Sequence, residues 1–175
     1  MKISSTVSIF ASFAILIVGI ISCQDKQTSP ESFLSIALTD APGDFDSVLV
    51  NIVGVEVHTD AGGWQSLAVD SGKYDLLSLQ NGIDTVLATP QSVPSGLISQ
   101  VRLILGDSST VVVNGVSYPL ALTTQDETGL KCNLHDTLQP NTTYEILLDF
   151  DADRSIVQQG NGVYRLKPVV SATFQ

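Results

Sequence analysis

The sequence predicts an all-β domain, folded as an antiparallel β-sandwich, on three observations. Short runs alternate apolar and polar residues with period two, as half-buried strands do. Turn-forming residues recur between those runs, and beyond the N-terminal apolar stretch there is neither a long helical pattern nor an internal repeat. The alternation is cleanest near the C-terminus, where Tyr144, Ile146, Leu148 and Phe150 alternate with Glu145, Leu147, Asp149 and Asp151. A second run, from Val163 to Phe174, sets Tyr164, Leu166, Val170 and Phe174 against Arg165, Lys167, Ser171 and Thr173. If the two are neighbours in one sheet, they frame an acidic corner in which outward Asp149 and Asp151 match outward Arg165 and Lys167.

The chain begins with Lys2, an apolar run from Val7 to Ile21 and the sequence Ile20-Ile21-Ser22-Cys23. A charged start, a greasy middle and a small residue before the cut are the parts of an export signal. Its end resembles a lipobox, which would make residues 1–22 a lipoprotein signal peptide and Cys23 the lipid-linked mature N-terminus. An uncleaved anchor or a soluble secretory leader is the alternative, although the run is shorter than the ~20 residues a span prefers. Residues 23–32 are polar, contain Pro30 and read as a flexible tether; 33–175 is the domain. The expected location is the cell envelope, at the outer membrane, held by N-terminal acyl chains. Eighteen carboxylates oppose eight Lys and Arg, a net charge of −10, so binding to nucleic acid is disfavoured.

Along the body, Leu34, Ile36 and Leu38 open a strand that turns at Ala41-Pro42-Gly43-Asp44. Val48, Val50 and Ile52 alternate at even positions and Val53, Val55 and Val57 at odd ones, so a β-bulge is expected at Gly54. Asp60-Ala61-Gly62-Gly63 closes a hairpin into Trp64, which is expected to cap the core. The stretch from Asn81 to Pro94, with two prolines, reads as a loop with some order. Leu97 to Leu105 is a strand, Asn114-Gly115 marks a type I′ hairpin, and Pro119 places its return strand at an edge or its end. Leu130, Cys132 and Leu134 form a further alternating run, for about nine strands in all.

LSIALTDAPGDFDSVLVNI, LLSLQNG, LISQVRLIL, LLDFDADRSIV and YRLKPVV, in that order, make the chain from Phe33 to Phe174 resemble a family of bacterial lipoproteins, domain of unknown function 4382. The resemblance implies an immunoglobulin- or transthyretin-like sandwich with no established activity.

Cys132 lies on the face of Leu130 and Leu134 and reads as an inert core thiol. His58 and His135 carry no zinc-site spacing and read as surface residues. Nucleophile-elbow, phosphate-loop and dinucleotide patterns are all missing. That leaves Asp149 and Asp151 as the one acid–base pair for a polysaccharide hydrolase. Asp40, Asp44 and Asp46 in the first turn, with Asp149, Asp151 and Asp153 in the late corner, raise a calcium site, since hard cations take several oxygens. The competing reading is structural: Asp40 and Ser155 bond backbone groups at turns, and Asp149 pairs with Arg165, Lys167 or Arg102. The expectation is a non-enzymatic binding or structural lipoprotein with no obligatory cofactor, its partner a glycan or another envelope protein. A calcium-binding adhesion module is the alternative.

Overall fold

The computed structural model describes residues 29–122, 129–160 and 162–175. Its strands form two sheets. One runs in the order β13 (Val170–Phe174), β10 (Thr143–Asp151), β1 (Glu31–Ala41), β5 (Thr85–Pro94). The other, nine-stranded, is centred on the long β2 (Ser47–Thr59). Along one edge of β2 run β6 (Gly96–Leu105), which leads on to β9 (Leu130–Leu138), and then β7 (Thr110–Val113), which leads on to β8 (Val116–Leu122), β12 (Val163–Leu166) and β11 (Ile156–Gln159). Two short strands, β3 (Gly63–Leu67) and β4 (Gly72–Asp75), also pair with β2, and β4 leads into a 3₁₀ turn at Leu76–Leu79. A single helical turn, α1 (Ala152–Ser155), follows β10.

The alternation explains the core. Leu34, Ile36 and Leu38 of β1 and Ile146, Leu148 and Phe150 of β10 are fully buried, as are Val48, Val50, Ile52, Val57, Val101 and Leu103 of the nine-stranded sheet. The chain is thus all-β and sandwich-like, as expected, but its sheets are mixed. β1 and β10 run parallel in continuous register from Phe33↔Thr143 to Ala41↔Asp151, and β12 runs parallel to β8. Alternation reports which side chains are buried and is silent on the direction of the neighbouring strand, so an antiparallel expectation was not protected against this. The bulge at Gly54 is present as a register shift against β6, and Asn114 and Gly115 turn the β7–β8 hairpin with φ of 50° and 74°.

Three element assignments and the place of one side chain differ from the reading of the sequence. β1 starts at Glu31, inside the expected tether, because Ser32 is buried and its hydroxyl bonds Ser95 Oγ at 2.7 Å and the Gln139 carbonyl at 2.8 Å. Residues 85–94 form a strand, its prolines tolerated because β5 is an edge and slips register between its Ala88 and Gln91 pairings. The last run is two strands: Lys167-Pro168-Val169 carries the chain from the nine-stranded sheet, at β12, into the four-stranded one, at β13. Trp64 stands on the outer surface, 38% exposed, and caps no core.

The open edge of β5 is sealed by side chains. The Gln91 amide accepts from Ala68 N and donates to Ala68 O, both at 2.7 Å, and Gln65 Nε2 donates to the Ser92 carbonyl at 2.8 Å. These bonds imitate a strand pairing and hide the edge from other chains.

Candidate functional site

In a parallel ladder, partners in register point the same way, so Thr39 shares a face with Asp149, and Ala41 with Asp151. Asp40, between them, turns the opposite way, into the core beside its partner Phe150. It is 4% exposed; its Oδ1 accepts from Ala152 N at 2.9 Å, and its Oδ2 is buried without a hydrogen-bond partner. Burial pushes the Asp40 carboxyl up from 3.8 to about 6. The Ala152 N–H and the nearby Gln80 amide pull it back, while the charges of Asp149 and Asp151 add to the rise.

The remaining polar groups of this corner also serve the backbone. Asp151 caps α1, accepting from Arg154 N at 2.9 Å, with the Arg154 guanidinium 3.6 Å from its other oxygen. Ser155, fully buried, accepts from Val169 N on its hydroxyl at 2.8 Å and from Lys167 N on its carbonyl at 2.7 Å. The crossover from β12 to β13 is therefore pinned to α1. Asp46 accepts from Gly115 N at 2.8 Å and fastens the first turn to the β7–β8 hairpin, while Asp44 is exposed.

Asp149, Asp151, Arg154, Val169, Val170 and Ser171 line a shallow hollow of about 140 Å³. Among the described residues, Asp149 has no ion-pair partner: Arg165 and Lys167 belong to the other sheet and the crossover, and Arg102 pairs with Glu56. Nor do the described residues include three His, Cys, Asp or Glu gathered to hold a metal. Asp40 and Asp149 face opposite sides of one sheet, so Asp40, Asp44, Asp149 and Asp151 do not form a calcium shell.

Arg102, on β6, leads to a different place. The pairing across β3, β2, β6 and β9 sets Ser66, Glu56, Arg102 and Lys131 in one outward row, and Trp64, His58, Gln100 and Asn133 in the next. The Arg102 guanidinium donates to Glu56 Oε2 at 2.8 Å and lies 4.0 Å from the centre of the Trp64 ring. His58 meets Trp64 edge-on at 5.1 Å and shares a 2.8 Å hydrogen bond with Ser99. Gln100 Nε2 donates to Asn133 Oδ1 at 2.9 Å, and Ser66 Oγ donates to Glu56 Oε1 at 3.3 Å. Gly129 makes room for the arginine stem: a Cβ there would stand 2.6 Å from Arg102 Cδ. Polar and aromatic groups drawn from four strands thus hold one another in place at the surface.

Of this face the sequence reading names Trp64, His58 and Arg102, each for a separate reason and none as part of a shared surface. Glu56, Gln100 and Asn133 each occupy an ordinary outward position, and their meeting depends on a register that no local pattern carries. Cys132 is the core thiol expected: it is buried, its Sγ lies 3.5 Å from the Val170 carbonyl, and burial pushes its pKa up to about 11. Cys23 and the leader lie outside the described residues.

Two mixed β-sheets packed face to face, with a corner whose side chains bond its own backbone and a fixed polar face outside, define an all-β sandwich-like domain. The chain belongs to the family described as Domain of unknown function (DUF4382), whose profile matches residues 31–168, from the first residue of β1 to the crossover proline. No curated protein and no solved structure matches it.

Proposed function

We propose that the protein is a lipid-anchored lipoprotein of the bacterial cell envelope, at the outer membrane, acting without catalysis as a module that binds a surface glycan or another envelope protein. The observation that carries the binding part is the contrast in what polar groups do. In the acidic corner they hold backbone donors, whereas around Arg102 they face solvent and are braced only by one another. Side chains fixed before a ligand arrives lose less freedom on binding it. The anchoring part rests on the lipobox-like Ile20-Ile21-Ser22-Cys23.

Anchoring has a geometric consequence. With β1 starting at Glu31, only residues 24–30 would separate the lipid from the sheet, at most about 25 Å when extended. The end holding the Asp60–Gly63, Pro94–Gly96 and Gln139–Thr142 turns would then face the membrane. The acidic corner, at the other end of β1, would point away.

Cys23→Ala should abolish incorporation of a labelled fatty acid and release the domain from membranes; unchanged labelling would remove the anchoring reading. A glycan array together with envelope pull-downs tests binding, and silence in both would remove that part. Turnover of a polysaccharide that disappears in Asp149→Ala and Asp151→Ala, with the fold intact, would put a hydrolase in its place.

A further inference from the structure

We infer that the outward face around Trp64 and Arg102 takes an acidic glycan, its carboxylates meeting Arg102 and Lys131 and its hydroxyls meeting Gln100 and Asn133. The inference rests on the binding reading above and narrows it to one ligand class and one surface.

Charge is the first argument. Eighteen carboxylates outnumber eight Lys and Arg in the chain, yet among the described residues these two rows carry two cations and one acid. Arg102 and Lys131 are direct register partners, and like charges opposed across a ladder repel. Glu56 offsets Arg102 at 2.8 Å, and no described carboxylate lies within ion-pair reach of Lys131. A carboxylate brought by a ligand to Lys131 would relieve that repulsion.

The second argument is the chemistry between the charges. Protein interfaces bury an apolar centre, and Trp64 is the only large hydrophobic at these eight positions. The Gln100–Asn133 pair holds its two amides in fixed orientation and leaves each with spare donors and acceptors. An indole beside planar amides suits a ligand with ring hydroxyls and small apolar patches. A peptide would need more greasy surface than this face offers.

The test uses the full chain in detergent, with alginate, polygalacturonate and hyaluronate, each beside its carboxyl-reduced form. At least one acidic polymer should bind, its reduced form about tenfold more weakly, with binding falling as salt rises. Lys131→Glu, at an exposed position, should weaken binding about tenfold without lowering the melting temperature, since it places an opposite charge beside Arg102; Asn133→Ala should weaken binding by a smaller factor. Equal binding of acidic and reduced polymers, or Lys131→Glu without effect, would overturn the inference. So would binding to phosphatidylglycerol vesicles with none to the polymers, which would make this a membrane contact. If all three polymers fail while an array or pull-down returns a partner, the inference falls and the binding reading stands; if every screen is silent, both fall.

Discussion

The acidic corner and the Arg102 face are built from the same kinds of side chain and do opposite things. At the corner, Asp40, Asp151 and Ser155 each accept from a backbone N–H that strand pairing leaves over, and so tie β1, α1 and the β12–β13 crossover together. On the face, Glu56, Arg102, Gln100 and Asn133 bond to side chains, and the ladders beneath them are complete without their help. Polar groups where the chain changes direction serve the fold; polar groups standing on finished sheet are free for a ligand. Substitutions at the corner should therefore register as stability, and substitutions on the face as binding.

The largest expected effect tests the corner through pH. Asp40 is raised from 3.8 to about 6, so folding favours its protonated form. Its contribution is fully present below the unfolded value and is lost as pH rises through the folded one. Between about pH 4 and pH 7.5, wild type should lose on the order of 2 kcal/mol that Asp40→Asn does not lose. Parallel denaturation curves at the two pH values measure this, and identical pH dependence in the two proteins would show that Asp40 is not the buried charge described.

Ser155→Ala comes next, since it strands the Val169 N–H beside a fully buried position. The expected loss is about 1–3 kcal/mol in a urea titration. A loss below about 0.5 kcal/mol would mean that the crossover is held some other way.

On the face, Glu56→Gln should cost about 1 kcal/mol or less, because its ion pair with Arg102 is only partly buried. Asn133→Ala, at an exposed position, should stay within about 0.5 kcal/mol of wild type. Should Asn133→Ala unfold the domain while Ser155→Ala leaves it unchanged, the division between corner and face would be reversed.

Much of this was legible in residues. The bulge at Gly54, the Asn114-Gly115 turn and the buried faces of β1, β6, β9 and β10 follow from alternation and turn chemistry, which act over a few neighbours. The acidic corner was visible as a concentration of Asp, but Asp40 was read into the first turn, although period two carries it onto the buried face of Leu34, Ile36 and Leu38. The strand runs on to Ala41, past the point where Pro42 and Gly43 suggest a turn, so the alternation had to be continued beyond Leu38 to reach Asp40. The match of Arg165 and Lys167 with Asp149 failed for a related reason. Pro168 interrupts the last run, and period-two counting passes through a proline that the chain uses to change sheets.

Taken alone, the sequence determined the all-β class, most strand positions, the core side of β1, β6, β9 and β10 and the lipobox-like start, because each depends on side chains a few residues apart. Tertiary structure decided the parallel pairing of β1 with β10, the sheet to which each half of the last run belongs, and the meeting of Trp64, Glu56, Arg102 and Asn133 on one surface. Those outcomes join strands far apart in the chain. What selects them is burial of the whole core and closure of every backbone hydrogen bond, two requirements that no single segment can express.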